Sequence, residues 1–244
     1  MLIKGAKILK INANEIWNIE FQLRNLLMHI LICAATEHEI LPTLEFLKKQ
    51  PKGKNHLVRI VLTGIGGIAT TYNVFKATHE KKPEYIIQAG ICGTFNNNLE
   101  PGKVVLIFEE IMGDLGTEEQ GTWQDVFDLK LADAAAFPFN EKKLINPHCE
   151  DWKKYGLPFV RSISVNEITT NQERIRALQE KYTPVVESME GAAFHYVCLH
   201  EKIPFMQMRA VSNFIGDRNK SNWKMENAIA NLNSELMRII QLLP

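Results

Sequence analysis

Short, continuously apolar runs separated by stretches of helical periodicity are the feature that most limits what this chain can become. HILICAA (29–35), HLVRIVLTG (56–64), PEYIIQAGICG (83–93), GKVVLIFEEI (102–111), PFVRSISVNEI (158–168) and IPFMQMRAVSN (203–213) are the runs. Strands of this kind carry little polar alternation and suit a sheet buried on both faces. Between them lie helical patterns at 37–49 (Ile40, Leu41, Leu44 and Leu47), 68–82, 171–182 opened by Asn171, 189–202, and a long amphipathic stretch at 223–243. Strands alternating with helices predict one α/β domain built on a largely parallel sheet. No repeat or linker breaks the pattern after Met28, so the domain is expected to span 28–244. Residues 113–157 are weakly periodic and are expected to form an excursion flanking the site. Residues 1–27 lack the apolar centre and cleavage site of a signal peptide. They are expected to be a weakly ordered N-terminal extension or an upstream start-site artefact.

Charge and cysteine usage narrow the partners. Twenty-eight Lys and Arg balance twenty-eight Asp and Glu in 244 residues. That balance lacks the footprint of a nucleic-acid or anionic-membrane binder, and no run reaches the length of a membrane span. A small neutral or weakly charged ligand is the expected partner. Cys33, Cys92, Cys149 and Cys198 are scattered and are expected to be reduced structural thiols in a cytoplasmic protein. No HExxH or Cys/His cluster is present, so neither a metal nor another cofactor is expected.

In sheets of this class, ligands bind beyond the carboxyl ends of the strands, where four features are expected to fall. In ATEHEI (35–40), Glu37 and Glu39 follow the first strand. They are either ordinary first-turn acids offsetting a helix dipole or a general base for water. GIGG (64–67) and AGICG (89–93) are tight turns, or loops whose amides approach a ligand; GIGG lacks the lysine of a phosphate loop. In ESMEGAAF (187–194), Glu190 is a first-turn acid or, with its small neighbours, a carboxylate able to grip the vicinal diol of a ribose. Ser212 and Asn213 end the last strand as turn residues or as an amide for the edge of a heterocycle.

The order and spacing of ICAATEHEI, LTGIGGIATT, QAGICGTF, VVESMEGAAF and PFMQMRAVSNFIGDR resemble the nucleoside phosphorylase/nucleosidase superfamily over essentially the whole chain after Met28. The resemblance implies a single α/β domain around a twisted, mixed, largely parallel sheet flanked by helices, acting on nucleoside glycosidic bonds. It implies Glu39 as the residue that activates water, Met189 and Glu190 as the ribose pair, and Asn213 at N7 of a purine. Gly90, Ile91, Ile168 and Thr169 would line the pocket, and a homodimer is the expected assembly.

Two departures sharpen this reading. Phosphorylases of the family hold phosphate with an arginine before the third strand's glycine segment and a serine within it. Here those positions are Gln88 and Ile91, which removes the charge-assisted contacts a phosphate would use and points to water. Members that cleave adenine nucleosides carry aspartate where this chain has Asn213, whose amide can donate to a 6-oxopurine. The SNFIGDR continuation with Asp217, Arg218 and Trp223 resembles the futalosine-hydrolysing branch, which implies release of hypoxanthine in menaquinone biosynthesis. Arg218 is then a candidate for a substrate carboxylate, or a plain surface residue. A methylthioadenosine-type nucleosidase and a non-catalytic nucleoside binder are the other readings.

Overall fold

The computed structural model describes residues 28–49 and 56–243; the expected extension at 1–27 lies outside the described residues. Strand β1 (Met28–Ala34) leads into helix α1 (Glu37–Lys49) and β2 (His56–Leu62) into α2 (Gly67–Glu80). Next come β3 (Tyr85–Thr94), β4 (Val104–Met112), the hairpin β5 (Gly116–Glu119) and β6 (Thr122–Asp125), the short β7 (Leu144–Ile145) and α3 (Cys149–Trp152). The last third runs β8 (Phe159–Ser164), α4 (Gln172–Tyr182), β9 (Val186–Ser188), α5 (Gly191–Glu201), β10 (Phe205–Phe214) and α6 (Met225–Leu242).

The sheet is mixed. β1 pairs in parallel with β2 and β3, β10 with β3, and β8 with β4 and β9, whereas β10–β4, β3–β9 and β4–β7 are antiparallel. Twist carries β9 and β10 onto opposite sides of the far end of β3, so the sheet curls around that strand. Alternate residues of one strand feed opposite layers. Ile30, Ile32, Ile87, Met206 and Met208 pack against Leu232, Leu236 and Ile239 of α6. Leu31, Cys33, Ile86 and Phe205 pack against Val74 of α2 and Phe194, Val197 and Cys198 of α5. Burial pushes the Cys33 and Cys92 thiols up to about 12.

Two expectations change. AGICG is not a turn but the second half of β3, because β10 pairs with it from Ala89 through Gly93, and β9 takes up the other edge at Gly93 and Thr94 after β1 has stopped at Gln88. β9 is a short strand that the sequence pattern did not mark. The 113–157 excursion contains the β5–β6 hairpin, fastened where Lys142 and Lys181 meet Asp125 and Asp128. It flanks a neighbouring apolar cavity through Asp114 and Leu115, not the carboxylate cavity described below.

Helix α1 carries Pro42 in its interior, where a missing N–H interrupts the helical ladder. Asn233 of α6 bridges this point. Its Oδ1 accepts from Thr43 N (3.1 Å) and Thr43 Oγ1 (2.6 Å), and its Nδ2 donates to the carbonyls of Glu39 (2.9 Å) and Ile229 (2.8 Å). One buried amide thus fixes the first turn of α1 against the terminal helix. Replacing Asn233 with Ala strands these buried groups and is expected to cost about 1–3 kcal/mol. Urea denaturation measures it, and an unchanged midpoint would remove the bridge from this account.

Candidate active site

β3 runs beside β1 as far as Gln88 and beside β9 from Gly93. Between those points one edge of β3 has no strand partner, which is the type of parting where α/β sheets bind ligands. The Glu39 carboxylate fills the opening, its Oε1 accepting from Ile91 N at 3.1 Å. Its Oε2 accepts from Thr36 N and Thr36 Oγ1, each at 3.0 Å. That second set is the carboxylate half of a capping box, so Glu39 is both a first-turn acid and a group facing the cavity. Oε1 keeps one lone pair free of protein donors. Glu37, by contrast, is exposed.

Glu190 sits at the N-cap of α5 yet makes no capping bond. Its Oε1 accepts from Gly66 N (3.1 Å), and its Oε2 lies 3.4 Å from Arg209 Nη1. Gly66 has φ +85°, open to glycine at little cost, and this turn aims the GIGG amide at a carboxylate. A phosphate at the same amide would meet Glu190.

Arg209 was missed in the sequence. It is 1% exposed, with Nη2 donating to Gln88 Oε1 (3.1 Å) and Nη1 near Ile91 O (3.4 Å). A Cβ at Gly90 would stand 2.4 Å from Arg209 Nη1 and 3.1 Å from Glu39 Oε1. The bare backbone of Gly90 is therefore what lets the cation and Glu39 approach the same point. Gln88, at the position where phosphorylases have arginine, is occupied as the acceptor of Arg209.

A cavity of about 320 Å³ joins these groups to the rest of the candidates. Glu39, Ile91, Ile168, Met189, Glu190 and Asn213 line it, together with Glu187 and Trp223. Asn213 arrives through a bulge in β10: Val211 pairs with Cys92 and Asn213 with Gly93, leaving Ser212 as the extra residue. Asn213 Oδ1 lies 2.7 Å from Ser212 Oγ and its Nδ2 donates to Phe214 O at 3.0 Å. With those bonds made, the amide offers a ligand its second N–H.

Two candidates stand apart. Thr169 is buried behind the wall, its N and Oγ1 donating to Glu187. Arg218 is exposed and lies 5.4 Å from the centroid of the Trp223 ring, so it reaches the cavity mouth only through that tryptophan. Asp217 is used up locally: it accepts from Asn219 N and Asn222 Nδ2, and its carbonyl accepts from Trp223 Nε1. The bonds from Asn222 and Asn219 hold its carboxyl below the usual range, which makes it a poor proton donor to a leaving group. Among the described residues no cluster of three or more His, Cys, Asp or Glu is placed to hold a metal ion. Nor is any described helix long and apolar enough to cross a membrane.

The model of the phosphorylase superfamily matches residues 31–243. The chain belongs to the phosphorylase superfamily. Among curated superfamily members it is similar to futalosine hydrolase of Thermus thermophilus, 25% identical over 73% of this chain and 79% of that one. It is also similar to 5'-methylthioadenosine/S-adenosylhomocysteine nucleosidase of Haemophilus ducreyi, 28% identical over 66% and 69%. A solved futalosine hydrolase of Helicobacter pylori shares the fold at TM-score 0.75 and 16% identity, covering 90% of this chain and all of that one. The corresponding nucleosidase of Colwellia psychrerythraea, solved with adenine, matches at TM-score 0.74 and 20% identity over 88% and 96%. In this superfamily member, Arg209→Met leaves Glu190 buried without its cation. The expected loss is roughly 3–5 kcal/mol of stability, read from denaturant unfolding; a loss below about 1 kcal/mol, the level of an exposed pair, would mean that the pair does not hold the site.

Proposed function

We propose that this chain hydrolyses the N-glycosidic bond of a 6-oxopurine nucleoside, with futalosine as the substrate and hypoxanthine as the released base. The observation that carries the reading is the convergence of Glu39 and Glu190 on one cavity, with Arg209 and the bare Gly90 backbone between them. Both named relatives are hydrolases of N-glycosyl bonds. The route to futalosine rests on the SNFIGDR continuation and on relatives named futalosine hydrolase, and with it come a place in menaquinone biosynthesis and a cytoplasmic setting.

Cleavage of such a bond passes through a ribosyl cation-like transition state. Glu190 accepts hydrogen bonds from the 2′ and 3′ hydroxyls and puts negative charge beside the developing cation. Arg209 holds Glu190 in place from behind. Glu39 takes a proton from water through the free lone pair of Oε1 as the water attacks the anomeric carbon. Asn213 donates its remaining N–H to the departing purine, a preorganised donor where charge gathers. The leaving group takes its proton from solvent, since Asp217 is committed elsewhere. Glu39→Gln is expected to lower kcat with futalosine by about 10²–10⁴-fold, the usual weight of a positioned acid–base group, and Glu190→Ala by about 10²–10³-fold, the weight of a preorganised group that stabilises transition-state charge. Hypoxanthine release measures this, and near-wild-type turnover in either variant would remove the role assigned to it.

A homodimer completes the reading. Ile68 is 90% exposed on α2, and Tyr72, Phe75, Leu115 and Tyr196 are also exposed around an apolar cavity of about 650 Å³. Apolar patches of this kind mark interaction surfaces. Met189 lines this cavity and the carboxylate cavity alike, so a second copy seated here would press on the wall of the site. Ile68→Asp is expected to yield monomers in sedimentation experiments, with reduced kcat/KM. A wild-type chain that sediments as a monomer at high concentration would exclude the assembly.

A further inference from the structure

Glu187 is a buried carboxylate that the mechanism above does not use. It is 5% exposed and lines the same cavity as Asn213. Thr169 N donates to its Oε1 at 3.1 Å and Thr169 Oγ1 to its Oε2. Among the described residues no Lys, Arg or His lies within ion-pair distance of it. Burial pushes its carboxyl up, opposed by the two bonds from Thr169 and by the more distant charge of Arg174. Two of about four acceptor positions are filled, so the group retains acceptor capacity toward the cavity. A side chain needed only to tie down Thr169 has no need of a charge. An amide or hydroxyl would accept those bonds without the cost of burying an unpaired carboxylate.

The sheet register says what this carboxylate faces. Gly93 of β3 pairs with Glu187 of β9 on one side and, through the Ser212 bulge, with Asn213 of β10 on the other. Directly paired residues project from the same face of a sheet, so the three form one row about two strand spacings, roughly 10 Å, across. The middle position has no side chain and is covered by Ile215 Cδ1, 2.3 Å from where a Cβ would stand. The row is therefore an apolar strip with a hydrogen-bond acceptor at one end and an amide N–H at the other. A flat heterocycle with apolar faces and polar edges matches that pattern.

The geometry points to Glu187 as a base-reading residue: its carboxylate accepts the N1–H of a 6-oxopurine while Asn213 donates to O6 or N7 of the same ring. This assignment rests on the function proposed above and extends it. An adenine ring presents a lone pair at N1, which faces the carboxylate without a proton between them. Discrimination against 6-aminopurines is then built into two strands flanking Gly93, not into Asn213 alone.

Competition binding of hypoxanthine, adenine and 1-methylhypoxanthine to the full-length wild-type chain and to Glu187→Gln tests this. Wild-type protein is expected to prefer hypoxanthine over each of the other two by at least about 100-fold, as buried polar sites do when a partner proton is missing. In E187Q, where the amide can turn an N–H toward N1, the preference over adenine is expected to fall at least about tenfold. Equal wild-type binding of hypoxanthine and 1-methylhypoxanthine would overturn the assignment even if E187Q failed to fold. So would an unchanged preference in a folded E187Q. Either result, with futalosine cleavage intact, leaves the proposed hydrolysis standing. If the wild-type chain neither binds hypoxanthine nor cleaves a purine nucleoside, the hydrolysis fails and the Glu187 assignment fails with it.

Discussion

A single hydrogen bond organises the site: the Ile91 N–H, left without a strand partner where β3 leaves β1, is taken by the Glu39 carboxylate at 3.1 Å. A buried amide at such a parting needs an acceptor, and the chain supplies one from the first turn of the adjoining helix. That choice fixes where the carboxylate sits. It also accounts for the apparatus behind it, with Thr36 clamping the other oxygen and Asn233 bracing the helix around Pro42. Backbone economy and catalytic placement are thus met by the same side chain.

The second constraint is electrostatic. Arg209 lies in the middle of a buried strand and is nearly free of solvent contact, a placement that is costly unless partners surround it. Glu190, Gln88 and the Ile91 carbonyl provide them. The cation therefore faces inward to Glu190 and away from any incoming anion, and the glycine turn at Gly66 does the same with its amide. An anionic nucleophile such as phosphate would have to displace these internal acceptors, whereas water does not.

Much of the fold was legible because continuous apolar runs and helical periodicity are local signals. Strand β1 and helices α1 and α4 fall where the periodicity puts them, and Asn171 caps α4 as expected from its place before the helix. Long-range pairing left weaker traces. β9 is only Val186–Ser188 with a glutamate at its centre, too short and too polar to stand out. AGICG looked like a turn because glycine content does not disclose that two strands share its edges. In the site, Glu39, Glu190 and Asn213 were flagged by their positions beside strands and helix starts. Arg209 left a usable signal, an arginine inside PFMQMRAV, since a cation buried in an apolar strand requires partners. Glu187 gave none, because only the register across Gly93 sets it opposite Asn213.

The central claim is that water, not phosphate, attacks the anomeric carbon. The direct measurement is to incubate the purified chain with futalosine in ¹⁸O-water containing phosphate and to analyse both products by mass spectrometry. The account predicts free hypoxanthine and a free sugar product carrying one ¹⁸O at its anomeric position, at a rate that phosphate does not raise. A phosphorylated sugar product without the label, formed only when phosphate is present, would contradict it.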